Sequence, residues 1–384
     1  MKTILLQNFQ TEEHTVSALG LSRVYNALKS FGCAVYFNDG QVSSPSKRKY
    51  DFVGTSIVSL DWPEIAERVQ FFRKHYPRAK IVFGGPGVEH HAIVADLHRK
   101  YPNACIFRRG QIPLLVKELL GYVPEIATHP TPPAYACYTD AQLGKLNRVS
   151  LLSYAGCQFN CTFCSSMFDD NFEIYARTQV LGELKDLAQR GVRRMDFLDA
   201  CFFRSPNWRE YAQRSHEMGI RFGCISDLRP PLTVDDFKKA VDLGLYYCIF
   251  GVETFNQGSL NAIHKQIDAK ASMKLLRKLA PRAPHRSVFL MGGLPFQTYD
   301  DVQRDLDLCR DAGVVNPILS MLRRFAWSDY TKYAPGKGEG IYFNRHGELT
   351  HTDWMTSRQV HALNVESYDL YVAEMTEELS EWYT

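Results

Sequence analysis

The chain has 384 residues, enough for two or three domains at the usual size of roughly 100–200 residues each. Charged residues make up 23% of it, and 45 Lys and Arg against 42 Asp and Glu give a net charge of +3, too small to indicate a nucleic-acid-binding surface. Its 10 cysteines show no paired spacing, which argues against a disulfide framework and for a reducing compartment. With no signal peptide and no apolar run near the ~18 residues of a membrane span, we expect a cytoplasmic protein that does not enter a membrane.

Residues 1–122 alternate short apolar runs with stretches of helical periodicity. Strands are predicted at 3–6, 34–37, 51–60, 80–83 and 104–107, and helices at 19–31, 63–75 and 112–120. This βαβ alternation predicts an α/β fold with a doubly wound, Rossmann-like sheet, which binds ligands beyond the carboxyl ends of its strands. Gly84 and Gly85 follow the fourth strand, where glycine lets a backbone approach a bulky ligand closely; a tight turn without a ligand is the alternative.

Residues 123–147 are predicted to form a linker, because 127–138 hold three prolines and no helical period. From 148 to 321 the strand and helix alternation resumes six times, which predicts a partial (β/α)6 barrel. Its strands are predicted at 149–154, 194–198, 221–225, 246–251, 287–291 and 314–321, and several of its helices end at glycines, namely Gly191, Gly219, Gly244 and Gly313. Active residues of such barrels gather at the carboxyl ends of the strands.

Three cysteines, Cys157, Cys161 and Cys164, lie on the loop after the first barrel strand. Their C-x3-C-x2-C spacing brings three thiolates together, one fewer than a closed zinc or iron–sulfur site uses. A four-iron four-sulfur cubane held by three protein sulfurs keeps one iron open for an outside ligand. The alternative is a zinc half-site, which needs a fourth ligand from elsewhere in the chain.

The cysteine motif and the motifs at later strand ends resemble those of the radical S-adenosylmethionine (radical SAM) superfamily. The resemblance implies that the open iron chelates the amino and carboxylate groups of SAM. It further implies that an electron from the cluster cleaves SAM to a 5′-deoxyadenosyl radical, and that a donor such as flavodoxin or ferredoxin supplies electrons. A metal-binding regulator without enzymatic activity is the alternative from another class, and it would have no reason to keep motifs at four successive strand ends.

Three polar residues at strand ends are candidates for contact with SAM. Asp199 occupies a position near the SAM amino group in the family, although Ala200 replaces the usual second Asp. Arg229 is a candidate for the SAM carboxylate, with a surface charge as the alternative. Glu253 resembles the family's G-x-E-S motif and is a candidate for the ribose or the sulfonium side, with a helix-capping carboxylate as the alternative.

A glycine-rich turn follows the fifth barrel strand. Its residues Gly292, Gly293, Leu294 and Pro295 resemble the family's G-l-P-g-E-T sequence, with Gln297 in place of the usual Glu. The resemblance implies that adenine or ribose lies against the backbone of this turn.

The first 122 residues resemble the cobalamin-binding domain of cobalamin-dependent radical SAM enzymes. The matching segments are Leu19-Gly20-Leu21, Val53-Gly54-Thr55-Ser56, Gly84-Gly85-Pro86 and Arg109-Gly110. The resemblance implies that Ser56, Gly84 and Gly85 contact cobalamin. The D-x-H-x-x-G motif is absent, His14 is either an axial ligand or a solvated loop histidine, and the short connection at 39–50 predicts a missing helix. A vestigial domain that only packs on the barrel is the alternative.

Residues 322–384 are predicted to form a small cap with a Glu-rich helix over 356–382. The cap contains the aromatic residues Phe325, Trp327, Tyr330, Tyr333, Tyr342, Phe343 and Trp354, and the predicted buried stripe of its helix is Val360, Leu363, Leu370 and Met375. Most of these aromatic side chains are expected to form the core of the cap.

These patterns together predict an enzyme that abstracts hydrogen from an unactivated carbon and methylates it through methylcobalamin, using SAM, a four-iron four-sulfur cluster and cobalamin. The alternative is a radical SAM cyclase, epimerase or rearrangement enzyme without methyl transfer. The expected substrate is a small molecule or a peptide side chain, because the small net charge disfavours tRNA.

Overall fold

The computed structural model describes residues 2–9, 18–39, 48–57, 62–85, 88, 91–107, 111–122, 134–146, 149–164, 172–282, 286–323, 340–343 and 348–382. Two compact units divide the chain, one formed by residues 1–150 with 185–192 and the other by 151–184 with 193–384. The first unit therefore includes the segment that was predicted to be a linker.

A five-stranded parallel sheet forms the first unit. Its strands are β1 (Thr3–Asn8), β2 (Ala34–Asp39), β3 (Phe52–Ser56), β4 (Lys80–Gly84) and β5 (Cys105–Ile106). The order β2-β1-β3-β4-β5, with every neighbouring pair parallel, is that of a doubly wound sheet. The predicted Rossmann-like fold of this part of the chain is thus confirmed.

Among the described residues, four helices accompany this sheet, and one of them was not predicted. They are α1 (Leu19–Ser30), α2 (Trp62–His75), α3 (His91–Lys100) and α4 (Ile112–Leu120). The missed helix is α3, which connects β4 to β5 as a parallel pair requires. The connection from β2 to β3 contains no helix among its described residues.

Alternating residues of β1 bury against opposite layers, as the two-residue period of a strand requires. Ile4 and Leu6 join the core that contains Leu28 of α1, whereas Leu5 joins the core that contains Phe72 of α2. The sheet is therefore covered on both faces, which leaves its carboxyl edge as the place for a ligand.

Residues 134–146 are held in the first unit by specific contacts. A short helix, α5 (Asp140–Leu143), begins with a capping box between Thr139 and Gln142. The hydroxyl of the fully buried Tyr135 donates to the backbone oxygen of Ser150 at 2.5 Å. This part of the predicted linker is therefore packed structure and not an extended tether.

The second unit contains a six-stranded sheet whose strand order follows the chain. Its strands are β6 (Ser150–Leu151), β9 (Arg194–Phe197), β10 (Arg221–Ser226), β11 (Leu245–Glu253), β12 (Arg286–Gly292) and β13 (Asn316–Met321), and two antiparallel pairs are formed by β7 (Tyr154–Ala155) with β8 (Glu173–Ile174) and by β14 (Ile341–Phe343) with β15 (Leu349–Thr352). From β9 to β13 every neighbouring pair is parallel. This arrangement is the predicted partial (β/α)6 barrel.

Helices alternate with these strands, and polar residues fix where several of them begin. They are α6 (Arg177–Gln189), α7 (Trp208–Glu217), α8 (Val234–Asp242), α9 (Gln257–Ala262), α10 (Ala269–Leu279), α11 (Tyr299–Asp311) and α12 (Ser357–Trp382). The side chains of Thr233, Asn256, Asp268 and Thr298 each accept a hydrogen bond from the backbone three residues ahead, at the starts of α8, α9, α10 and α11. The predicted caps Gly191, Gly219, Gly244 and Gly313 all have positive φ.

The described part of the cap consists of the β14–β15 hairpin and α12. Of the predicted buried stripe of α12, Val360 and Leu363 are buried and Leu370 is only partly buried, whereas the side chain of Met375 is not among those that the structure describes. Residues Phe325, Trp327, Tyr330 and Tyr333 of the predicted aromatic set lie outside the described residues. Among the helices that the structure describes, none is long and apolar enough to cross a membrane.

Candidate active site

The loop that carries the three cysteines is held by contacts with the segment that follows α9. Cys161 is buried, whereas Cys157 and Cys164 are half-buried, and all three are free thiols. The backbone nitrogen of Thr162 donates to the Ile263 oxygen at 3.1 Å, and the loop closes on itself through Cys164 N and Cys161 O at 3.0 Å. The predicted ligands therefore lie on one short loop at the carboxyl end of the barrel strands.

Asp199 fixes the chain just before the cysteine loop. Its carboxylate is fully buried and accepts hydrogen bonds from the Ser153 nitrogen at 2.7 Å and the Ser153 hydroxyl at 2.5 Å. The Tyr154 nitrogen donates to the same carboxylate at 3.3 Å, and the Tyr154 hydroxyl accepts from the Cys201 nitrogen at 2.6 Å. Contact between Asp199 and the SAM amino group stays a prediction.

Arg229 is buried beside the cysteine loop, so its interpretation as a surface charge is wrong. Its guanidinium donates to Asp227 at 2.5 Å and to the Lys265 carbonyl oxygen. It also lies 3.7 Å from the sulfur of Cys161. The guanidinium thus links two loops and places a positive charge next to one predicted cluster ligand.

A second arginine joins this arrangement on the ring of Phe159, which lies between Cys157 and Cys161 in the sequence. The guanidinium carbon of Arg229 is 3.6 Å from the ring centroid, and that of Arg204 is 4.6 Å from it. Asp227 pairs with both arginines, since Arg204 Nε lies 3.7 Å from its Oδ1. The cation–π contacts and the shared carboxylate together hold the cysteine loop on the strand ends.

Glu253 forms a buried ion pair with Lys265, a residue that sequence reasoning did not identify. The Lys265 Nζ donates to Glu253 Oε1 at 2.8 Å, and Glu253 has a φ of 69°. Burial lowers the pKa of Lys265, but attraction to Glu253 and Cys161 outweighs it, and the net pKa is raised. The helix-cap interpretation of Glu253 is wrong, because Asn256 caps α9.

Cys201 is a fourth thiol at the cysteine loop, and it too was missed because it is isolated in the sequence. A hydrogen bond from Cys201 lowers the pKa of Cys157 to about 6, although burial opposes this shift. The pKa of Cys201 is raised by its hydrogen bond with Cys157 and by burial. The sulfur of Cys201 lies 3.4 Å from Asp227 Oδ2. In contrast, burial raises the pKa of Cys161 despite the nearby cations Lys265 and Arg229. Cys201 therefore keeps its proton, which both the Cys157 sulfur and the Asp227 carboxylate can accept.

Packing within the second unit requires glycine at two positions of the turn after β12. A Cβ on Gly293, whose φ is +90°, would lie 2.2 Å from a methyl carbon of Leu349, and one on Gly292 would lie 2.6 Å from the sulfur of Met321. Gln297 braces the turn by accepting from the Gly293 nitrogen at 2.9 Å. The Pro295 carbonyl oxygen accepts from the Ser259 hydroxyl at 2.7 Å. Cofactor contact by Gly292, Gly293 and Pro295 stays a prediction.

In the first unit, the predicted ligand turn lies at the carboxyl ends of β3 and β4. Gly85 has a φ of +92°, and a Cβ there would lie 2.2 Å from the Ser56 hydroxyl. The Ile57 nitrogen donates to the Gly84 oxygen at 2.8 Å. Ser56, Gly84 and Gly85 are partly exposed, as residues that contact a ligand must be. Cobalamin contact by them stays a prediction.

His14, Pro86, Arg109 and Gly110 lie outside the described residues.

The residues at the cysteine loop fit an anionic cluster with several metal atoms. Among the described residues, no three His, Cys, Asp or Glu side chains gather as the ligands of a single metal ion. A cubane instead distributes its three cysteines over three irons. The buried cations Arg229 and Lys265 offset thiolate charge, and the buried hydroxyl of Thr162 has no hydrogen-bond partner among the described residues. This hydroxyl lies within the motif and is available to donate to a cluster sulfur.

The chain is similar to known proteins in part of its sequence and in its fold. Residues 151–309 match the family model of the radical SAM superfamily, and no curated protein sequence matches the chain. The fold is similar to that of the radical SAM methyltransferase TsrM from Kitasatospora setae, solved with cobalamin and a [4Fe-4S] cluster, with a TM-score of 0.73 and 14% identity over 96% of this chain and 91% of that one.

A second solved structure is similar over a smaller part. The cobalamin-dependent SAM radical enzyme OxsB gives a TM-score of 0.61 at 16% identity and covers 80% of this chain, which spans about half of OxsB (52%). The resemblance predicted from the cysteine motif is therefore confirmed: residues 151–309 form a radical SAM domain, in a chain that has the fold of TsrM and OxsB.

Proposed function

We propose that the protein is a cobalamin-dependent radical SAM methyltransferase, with Cys157, Cys161 and Cys164 as the ligands of a four-iron four-sulfur cluster. When bound, the cluster and cobalamin supply the electron that cleaves SAM to a 5′-deoxyadenosyl radical and the methyl group that is added to an unactivated carbon. The observation that carries the proposal is the cysteine loop itself, fixed at the carboxyl ends of the barrel strands with two buried cations beside it.

The residues around this loop have distinct tasks. Arg229 and Lys265 offset the negative charge of three thiolates in a water-poor site, where an unbalanced charge would be costly. Asp199 orients the chain that leads into the loop through Ser153 and Tyr154. The Thr162 hydroxyl, which has no hydrogen-bond partner among the described residues, would donate to a sulfur of the cluster. None of these tasks is chemical; they position and insulate the cofactor, which carries the difficult chemistry.

The SAM molecule is proposed to lie over the ends of β10, β11 and β12. Lys265 fixes one oxygen of Glu253 at 2.8 Å and so presents the carboxylate toward the ribose or the sulfonium side. Arg229 contributes positive potential near the amino-acid end of SAM, although Asp227 already pairs with it. The turn at Gly292, Gly293 and Pro295 provides backbone for adenine or ribose, held in shape by Gln297.

Cobalamin is proposed to bind at the carboxyl edge of the first unit, near Ser56, Gly84 and Gly85. A doubly wound sheet places ligands at this edge, and TsrM and OxsB were solved with cobalamin. OxsB is described only as a cobalamin-dependent SAM radical enzyme, so cobalamin binding and methyl transfer need separate tests. A cyclase, epimerase or rearrangement enzyme is the second candidate for this reason.

The proposed substrate is a small molecule or a peptide side chain. TsrM was solved with its substrate tryptophan, which supports a small-molecule substrate of this fold. We place the protein in the cytoplasm, where ten free thiols and an iron–sulfur cluster remain reduced. A flavodoxin or ferredoxin would supply the electron.

The decisive experiment is anaerobic reconstitution with iron and sulfide. Wild-type protein is expected to hold four irons with equal acid-labile sulfide and to release 5′-deoxyadenosine from SAM under dithionite. The triple variant Cys157→Ala, Cys161→Ala and Cys164→Ala should lose both, whereas Cys309→Ala, which changes a buried cysteine on α11, should lose neither. Iron retained by the triple variant would contradict the proposal.

Two further measurements separate the candidate functions. The visible spectrum after purification with hydroxocobalamin tests the first unit, because a retained corrin absorbs there independently of the cluster. SAM with a deuterated methyl group then tests the reaction, since only methyl transfer places the label in a product. A retained corrin without label transfer would favour the cyclase, epimerase or rearrangement class.

A further inference from the structure

A basic groove lies on the outside of the second unit, between α10 and α11. Four exposed cations of α10 line it, namely Lys270, Lys274, Arg277 and Lys278. The apolar side chains Phe255, Met273 and Leu308 also line it, and its volume is about 510 Å³. These seven residues form the basic groove.

The cations of the basic groove have no acidic partner among the described residues. Lys270, Lys274 and Lys278 follow one another at four-residue intervals, so like charges are neighbours along one helix face, which disfavours the isolated helix. None of the four side chains forms an ion pair with any residue that the structure describes. The buried face of α10, which includes Leu276 and Leu279, is separate from this stripe.

Several other exposed cations of the second unit have acidic partners. On α7, Arg209 pairs with Asp236 and Arg214 pairs with Glu217 at 2.7 Å. On α11, Arg310 pairs with Asp307 at 2.9 Å. The protein as a whole has a net charge of only +3, so the unpaired stripe on α10 is a local concentration of positive charge. Such a patch favours an acidic partner.

The basic groove begins close to the cysteine loop. The side chain of Gln266 donates to Asn160, between Cys157 and Cys161, at 3.2 Å. Only four residues separate Gln266 from Lys270, and four residues span at most about 14 Å. A protein seated on the first turn of α10 would therefore lie next to the loop that holds the proposed cluster.

We infer that the basic groove is the docking surface for an acidic protein that carries electrons, such as a flavodoxin. The inference rests on the proposed function, because only a bound cluster gives the electron a destination. In the docked pair the carrier gives up one electron and the cluster gains it, with no bond made or broken in this chain. Carboxylates of the carrier meet the four cations, and its apolar contact region meets Phe255, Met273 and Leu308. Small, charge-steered interfaces of this kind suit partners that must separate after each transfer.

The test uses cluster-loaded protein and a reduced recombinant bacterial flavodoxin, with Lys274→Glu/Lys278→Glu as the variant. The matched control is Lys238→Glu/Lys239→Glu, which reverses two exposed cations on α8 of the same unit. At low salt we expect the second-order rate of cluster reduction to fall about tenfold in the variant and to stay unchanged in the control. The difference should shrink as salt rises, because screening weakens steering. Both proteins should be reduced by dithionite at the wild-type rate and should hold the same iron.

Either of two results would overturn the inference, namely an unchanged flavodoxin rate in the variant or an equal loss in the control. If dithionite fails to reduce even the wild-type protein, the proposed function fails instead. The docking surface is then still decided by titrating the flavodoxin fluorescence with wild type and variant, where a weaker affinity of the variant alone supports it.

Discussion

Lys265 and Glu253 form an ion pair of 2.8 Å in which each side chain keeps only 8% of its exposed area. Neither side chain can reach solvent unless the surrounding residues repack. Because Glu253 ends β11 and Lys265 lies between α9 and α10, the pair joins these two parts of the chain. The Lys265 carbonyl oxygen also accepts a hydrogen bond from Arg229, which lies beside the cysteine loop. The packing of this part of the second unit therefore depends on these two residues.

The first prediction concerns this pair. Lys265→Met should lower the free energy of unfolding of the cluster-free protein by about 3–5 kcal/mol, because it leaves Glu253 as an unpaired buried carboxylate. The double variant Glu253→Gln/Lys265→Met should regain most of this loss. Urea unfolding measures both, and Lys239→Met on the surface of α8 should change stability by less than about 0.5 kcal/mol. A single variant as stable as wild type would show that the carboxylate finds another partner.

The second prediction concerns Cys201. Cys201→Ala should lower the reduction potential of the reconstituted cluster without loss of iron, because a hydrogen bond to the Cys157 sulfur stabilises the more negative, reduced state. Cys201→Ser keeps a donor and should lie closer to wild type. Redox titration followed by electron paramagnetic resonance reports the potential. Cys309→Ala, another buried cysteine, serves as the control, and an iron loss confined to Cys201→Ala would instead indicate that Cys201 is itself a ligand.

The third prediction concerns pH and Asp305 of α11. Burial raises the pKa of Asp305 from 3.8 to about 6, although hydrogen bonds from Thr254 and Phe255 oppose the shift. At this residue the folded protein then binds more protons than the unfolded chain between these values, so the contribution of Asp305 to stability should fall as pH rises from about 4 to 6. At about 1.36 kcal/mol for each pH unit, the loss is about 3 kcal/mol.

Asp305→Asn should remove this dependence, which urea unfolding across that pH range can measure. Asp307→Asn changes an exposed neighbour that pairs with Arg310, and it should leave the dependence in place. The stability of wild type relative to Asp305→Asn should therefore fall over this range, and a relative stability that rises would contradict the sign.

The fourth prediction concerns Gly293. Gly293→Ala should destabilise the protein by more than about 1–2 kcal/mol, because the positive φ is strained for alanine and the new methyl group meets Leu349. Pairing it with Leu349→Ala should relieve the clash but not the backbone strain. Gly182→Ala within α6 has open space and should instead stabilise by up to about 1 kcal/mol. Thermal unfolding compares the three variants.

Features that depend on local sequence were predictable. The periodicity of apolar residues located the strands of both sheets, and glycine after a helix indicated caps such as Gly219, whose φ is +71°. The cysteine spacing identified the radical SAM domain before any tertiary contact was known. In each case a few neighbouring residues contain the whole signal.

Features that depend on tertiary contact were not predictable in the same way. Lys265 has no motif of its own, and only the fold shows that its charge meets Glu253. Cys201 seemed isolated because its partner Cys157 comes from a different strand end. Helix α3 was missed, although the parallel pairing of β4 with β5 demands a crossover.

The stacking of Arg204 and Arg229 on Phe159 has a consequence for how the protein acquires iron. Both guanidiniums are anchored to Asp227, which belongs to the scaffold and not to the loop. The loop is thus preorganised by side chains outside it, unlike a zinc finger, whose chain is ordered only by its metal. Insertion of the cluster should therefore need little rearrangement of the loop, and the iron-free protein should retain its tertiary structure.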